Sequence, residues 1–169
     1  TGIEIAYQQN LRFLPWYFEN LGIQANYTHI ESELNYILSP SPLVVGKGPF
    51  LGASPDAFNF TLYYEVEKFT ARVSTSYRAK YQTTYPLASG TCDPGVCDSP
   101  LVNDFGGSAA TTNVDFSATY KLNKQISITA EALNLTDQAN DRWAYSADPV
   151  TTSYGRNGRQ FFIGARMTF

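Results

Sequence analysis

The chain has 169 residues, of which 16% are charged and 15% aromatic, and its net charge is −3. An acidic chain so poor in charge carries no basic footprint for nucleic acid, and no apolar run approaches the roughly 18 residues of a membrane helix. What remains is one unit of ordinary domain size, rich in Tyr, Phe, Thr, Ser and Asn, which suits strands set between an apolar solvent and a polar interior.

Taken in order, residues 3–9 alternate with period two, Ile3, Ile5 and Tyr7 opposing Glu4, Ala6 and Gln8, and predict a first strand. Residues 10–20 hold Pro15 and the ring cluster Trp16-Tyr17-Phe18, which favours a connection lying at an interface. A second strand follows over 21–31, with Leu21, Ile23, Ala25 and Tyr27 against Gln24, Asn26 and Thr28. Residues 32–56 keep no period and are broken by Pro40, Pro42, Gly46, Gly48, Pro49, Gly52 and Pro55, the mark of a long loop.

The third and fourth strands, 57–65 and 69–81, flank a tight turn at Glu67-Lys68. In the fourth, Phe69, Ala71, Val73 and Thr75 oppose Thr70, Arg72, Ser74 and Ser76. A second long loop spans 82–111. Strands five and six, 112–122 and 125–134, are joined at Asn123-Lys124, and a third long loop covers 135–157, with room for a single helical turn over 136–143. The last stretch, 158–169, sets Phe161, Ile163, Ala165, Met167 and Phe169 against Gln160, Phe162, Gly164, Arg166 and Thr168. Its length matches the roughly ten residues of a tilted membrane-crossing strand. The fold class is all-β.

Two patterns favour a membrane barrel over a soluble sandwich. Short connections (10–20, 67–68, 123–124) alternate with long ones (32–56, 82–111, 135–157), the polarity of outer-membrane barrels. Within the strands Glu4, Glu65, Arg72, Arg78, Asp115, Lys121, Glu131 and Arg166 all fall on the non-aliphatic face. Charge on a lipid face near the midplane costs about 2–4 kcal/mol for Arg or Lys, which explains the exclusion. Leu62, Val73, Phe116, Ala118, Ile163 and Met167 should therefore face lipid, and Thr61, Arg72, Asp115 and Arg166 the interior.

Cys92 and Cys97 flank the turn-rich Asp93-Pro94-Gly95-Val96. A loop-closing disulfide fits an oxidising compartment, whereas two thiols without a nearby His fall short of a zinc ligand set. His29, the single histidine, lacks the partners for a metal site or a Ser-His-Asp arrangement, and strand parity points it outward near a rim. No constellation for catalysis appears, so an enzyme is not expected, and no cofactor or metal is called for. Tyr7, Trp16, Tyr17, Tyr64 and Tyr120 suit an interfacial girdle. In the third loop Arg142, Trp143, Tyr145 and Arg156 combine stacking faces with charged donors, the chemistry that holds sugars or other polar ligands; a self-packed loop is the alternative. The chain opens on Thr1, without Met or signal peptide, and reads as a processed product or a piece of something longer.

Several stretches resemble the C-terminal part of the TonB-dependent receptors of Gram-negative outer membranes, in the group common in Caulobacter- and Xanthomonas-type bacteria. They are Leu21-Gly-Ile-Gln-Ala-Asn-Tyr-Thr-His29, Phe69-Thr-Ala-Arg-Val-Ser-Thr-Ser-Tyr-Arg78, Ala132-Leu-Asn-Leu-Thr-Asp137 and Gly158-Arg-Gln-Phe-Phe-Ile-Gly-Ala-Arg-Met-Thr-Phe169. The last is similar to the signal read by the barrel-assembly machinery, carried by Gly164, Met167 and Phe169, with Phe162 a departure where a polar residue is usual. The resemblance implies an antiparallel transmembrane β-barrel of about 22 strands closed by an N-terminal plug, of which residues 1–169 supply about seven strands. Its partners would be outer-membrane lipid, the remaining N-terminal strands and plug, the barrel-assembly machinery, and TonB through a plug segment that this chain does not contain. It implies import of a polar ligand, carbohydrate before iron chelate. An autonomous structural or adhesive barrel without active transport is the other reading.

Overall fold

Alternating Ile, Val, Phe, Tyr and Thr favour extended backbone with one face set apart from the other. The computed structural model describes residues 1–41, 43–88 and 102–168, and there every periodic segment is a strand. Among the described residues the strands are, in order, β1 (Gly2–Asn10), β2 (Leu21–Ile30), β3 (Leu34–Pro40), β4 (Leu43–Gly48), β5 (Asp56–Glu65), β6 (Phe69–Arg78), β7 (Tyr81–Thr84), β8 (Gly106–Ser108), β9 (Thr111–Lys121), β10 (Ile126–Leu133), β11 (Arg142–Ala144), β12 (Val150–Ser153) and β13 (Gln160–Met167). Seven of them form one open antiparallel sheet in the order β1-β2-β5-β6-β9-β10-β13.

The register carries the two-face sorting across the whole sheet. Gln9, Ile23, Leu62, Val73, Phe116, Ala132 and Phe161 pair successively in one row. One residue along, Gln8, Gln24, Thr61, Ser74 and Asp115 form a row on the opposite face. Directly paired residues share a face, so all the strand charges anticipated on the non-aliphatic face lie there together. Arg72, Ser117 and Glu131 share another polar row, and hydroxyls pair across strands at 3.2 Å between Thr61 and Ser74 and between Thr119 and Thr129.

The apolar face has no protein partner among the described residues. Ile163 is 87% exposed and Phe161 68%, while the buried hydrophobic residues are Ala132, Trp143 and Ala144. Transfer of each large side chain from water to an apolar medium is worth about 1.5–3 kcal/mol, so this face is built for an apolar solvent rather than for water. Among the described residues no helix is long and apolar enough to cross a membrane.

At one end the connections are short. A 3-10 turn, Trp16–Asn20, links β1 to β2, with Trp16, Tyr17 and Phe18 exposed. Reciprocal bonds between Val66 and Phe69 close the β5–β6 hairpin, and the Asn123 carboxamide accepts the N–H groups of Gln125 and Ile126 at 2.8 and 2.9 Å to turn β9 into β10. Such Asx turns are what Asn supplies in place of a backbone partner.

The other end departs from the sequence reading. The long loops contain β3, β4, β7, β8, β11 and β12, where no strand was expected. Strand four stops at Arg78 rather than 81, because the chain turns out of the large sheet there. Ser54 Oγ lies 2.9 and 2.8 Å from the carbonyl oxygens of Asp56 and Ala79, and Tyr81 then opens β7 in a second sheet. Residues 136–143 form no helical turn; they run from a turn at 135–136 through an Ala139–Arg156 bridge into β11. Asp137, at φ 51°, breaks any helical course there.

Candidate functional site

The second and third loops fuse into one four-stranded sheet of order β12-β11-β8-β7. The centre of that sheet is glycine on one strand and tryptophan on the next: Trp143 pairs with Gly107, and a Cβ on Gly107 would sit 2.5 Å from the indole ring. Only glycine leaves the space that the ring occupies over the paired strand. The first loop docks on the same assembly through the β3–β4 hairpin. Tyr85 stacks on Phe105 with centroids 4.0 Å apart, and Tyr36 meets Tyr85 edge-on at 5.2 Å. Gly46 admits the Tyr85 hydroxyl, which would lie 2.0 Å from an added Cβ. The three loops are thus one packed cap.

Asp104 ties the cap together. Its carboxylate accepts the Phe105 N–H at 2.7 Å, the Ser146 N–H at 3.0 Å and the Ser146 hydroxyl. Burial pushes the carboxyl up, but these three donors outweigh it and hold Asp104 below the usual carboxylate range. The same burial, with Asp104 nearby, raises the Tyr85 phenol. A carboxyl whose folded pKa is depressed stabilises above its unfolded value and loses that contribution as pH falls through the folded one. Protection factors across 104–108 and 142–146, taken after correction for the intrinsic pH dependence of exchange, should therefore fall in acid, below the usual carboxylate range, and Asp104→Ala should show the lower protection already at neutral pH. Identical pH profiles for the two proteins would contradict this role.

The four loop residues singled out in the sequence take different places. Trp143 is 8% exposed; Gly107 covers its ring and the Lys80 ammonium lies 5.3 Å from the ring centroid. It anchors the cap. Its Nε1 is buried with no partner among the described residues. Arg142 is exposed beside it on β11, and Tyr145, at φ 69°, is half-buried with its N–H bonded to the Phe105 carbonyl at 2.9 Å. Arg156 stands with another group. It pairs with Asp137 at 3.2 Å and lies 5.6 Å from the Tyr154 ring, and both Arg156 and Tyr154 are exposed.

Gly164 pairs with Thr129 on the polar face and Met167 with Ile126 on the apolar face. Phe169, Cys92 and Cys97 lie outside the described residues. His29 and Asp56 sit on the apolar face at the loop end, in the row Ile3–His29–Asp56, with His29 Nδ1 2.8 Å from Asp56 and the Tyr27 hydroxyl donating to the same oxygen at 2.7 Å. No cluster that could hold a metal ion occurs among the described residues.

Sequence reasoning passed over Tyr36, Tyr85, Phe105 and Asp104. A usable signal was the spacing Gly46-Lys-Gly48, small residues two apart on one face of an extended segment, which leaves room for rings from elsewhere.

A comparison with protein families matches residues 1–135 to the family described as TonB dependent receptor-like, beta-barrel. Comparisons with curated proteins and with solved structures give no significant match.

Proposed function

This chain belongs to the TonB-dependent receptor-like β-barrel family, and from that premise we propose that it forms wall and outer loops of a bacterial outer-membrane receptor importing a polar ligand through a plugged barrel. The observation that carries this reading is the open seven-stranded sheet, apolar along one face and polar along the other, with turns at one end and a packed cap at the other. The turn end would face the periplasm and the cap the exterior. Residues 1–169 would be the C-terminal part of a barrel of about 22 strands. A plug encoded outside them would make the TonB contact.

In this reading Arg142, Tyr145 and Arg156 meet the ligand, and buried Trp143 anchors β11, which carries Arg142 and leads into Tyr145. Gly164, Met167 and Phe169 present the signal for the barrel-assembly machinery. The ligand is a carbohydrate rather than an iron chelate. Cys92 and Cys97 are bonded to each other, limiting the freedom of a Gly/Pro-containing loop. Intact mass after alkylation without reductant should show neither thiol modified; two alkylated thiols would remove the bond.

Transport tests the whole reading. Cells carrying the full-length protein should take up labelled malto-, xylo- or cello-oligosaccharide in a manner that needs both this protein and TonB. Entry that needs the protein but is indifferent to TonB and to a protonophore would support an autonomous barrel instead.

A further inference from the structure

On the polar face, where β6, β9, β10 and β13 run into their long loops, a cavity of about 290 Å³ opens beneath the third loop. Its lining is dominated by carboxamides. Two of these are committed to holding the wall. Asn134, at φ 55°, gives its backbone N–H to Asp115 at 2.8 Å and its side-chain NH₂ to the Gly158 carbonyl at 3.0 Å, while its oxygen accepts the Gln138 N–H at 2.7 Å. Gln138 in turn accepts the Thr112 N–H at 2.7 Å and donates to the Ala139 carbonyl at 2.6 Å. These bonds fix the cavity's shape before anything enters it.

Four others are unengaged. The side-chain amides of Asn113, Asn140, Asn157 and Gln160 make no hydrogen bond among the described residues, and all four line the cavity. Each carries two donors and an acceptor with two lone pairs. A hydroxyl both donates and accepts, so a surface of free carboxamides complements a molecule covered in hydroxyls. Leu133, also in the lining, supplies an apolar patch against which the C–H face of such a molecule can rest. The electrostatics of this lining disfavour the rival class. The lining contains no Lys or Arg, and its single ionisable group is the carboxylate of Asp115. An anionic chelate or a phosphate ester would meet a like charge and no counter-charge.

We propose that this cleft binds a neutral polyhydroxylated ligand, a sugar unit, through Asn113, Asn140, Asn157 and Gln160. The inference rests on the receptor reading and assigns its ligand class to one site. The cavity is at the small end of ligand cavities, about 300–1,000 Å³, so it takes one end of a longer saccharide rather than the whole.

The test uses the purified full-length receptor in detergent with ¹⁵N-labelled Asn, titrated with glucose, trehalose and citrate at millimolar concentrations. The side-chain amide signals of Asn113, Asn140 and Asn157 are expected to shift saturably with at least one sugar and to ignore citrate. Asn113→Leu should weaken that binding by about tenfold, the equivalent of a lost hydrogen bond, whereas Gln8→Leu, on the polar face away from the cleft, should leave it unchanged. Asn157→Ser, in the exposed loop, keeps the comparison available if Asn113→Leu fails to assemble. Amides that respond to neither sugar, an equal response to citrate, or unaltered affinity in the Asn variants would overturn the assignment, as would a cleft already filled by protein in the full-length molecule. Binding is measured without TonB, so loss of energised transport would remove the importer reading and leave this result standing.

Discussion

Val73→Arg should abolish assembly of the barrel in the membrane, and Ser74→Arg, one residue along the same strand, should not. Val73 lies near the middle of β6, flanked in register by Leu62 and Phe116 on the apolar face. Near the bilayer midplane an Arg on the lipid face costs about 2–4 kcal/mol, and neither paired residue offers a counter-charge. Ser74 points the other way, between Thr61 and Asp115. An Arg there gains a carboxylate neighbour in a polar interior, at the cost of the Thr61–Ser74 hydroxyl contact. Heat-modifiable mobility on gels reads assembly, and urea unfolding in lipid reads stability. Equal damage from both substitutions would mean that the two faces are not lipid and interior.

The contrast between those two positions was open to inspection in the sequence, because period two is a local property. Leu62, Val73 and Phe116 can be placed on one face from their own neighbours, and the register then brings them into one row. The cap was not legible in the same way. β8 and β11 are three residues each, too short to show a period, and they become strands only through their pairing, β8 with β7 and β11, and β11 with β8 and β12. Trp143 illustrates the consequence. Beside Arg142 and Tyr145 it looks like a stacking platform, but its burial depends on Gly107, a residue whose role nothing near Trp143 in the chain reveals. Tyr85 and Phe105 are likewise a pair only in space. The carboxamide cleft draws on Asn113 from β9, Asn140 and Asn157 from the third loop and Gln160 from β13, and no spacing links them. Polar residues in loops are expected in any case, so their convergence needed the fold.

In the assembled full-length protein, both outer edges of this sheet should be paired with strands from outside residues 1–169. β1 and β13 are the two ends of the sheet order, and no bond joins them among the described residues. Each therefore presents one row of backbone N–H and C=O groups without a partner on its outer side. In water such an edge is tolerated; in hydrocarbon each unmet group costs several kcal/mol, so the arrangement is untenable until the sheet is completed. Neither edge carries the usual protection. β13 runs Gln160 to Met167 without a bulge in its pairing to β10, its apolar face holds Phe161, Ile163, Ala165 and Met167, and its one charge, Arg166, lies on the polar face. Such a strand is made to be paired. Double-cysteine variants distinguish the partners: Tyr7→Cys with Ile163→Cys, on the apolar faces of β1 and β13, should give no intramolecular cross-link under mild oxidation. Hydrogen exchange should show all of 160–167 protected in the full-length protein, including the amides that point away from β10. An efficient cross-link between positions 7 and 163 would mean that these seven strands close on each other, and the chain would then be a small autonomous barrel rather than part of a receptor wall.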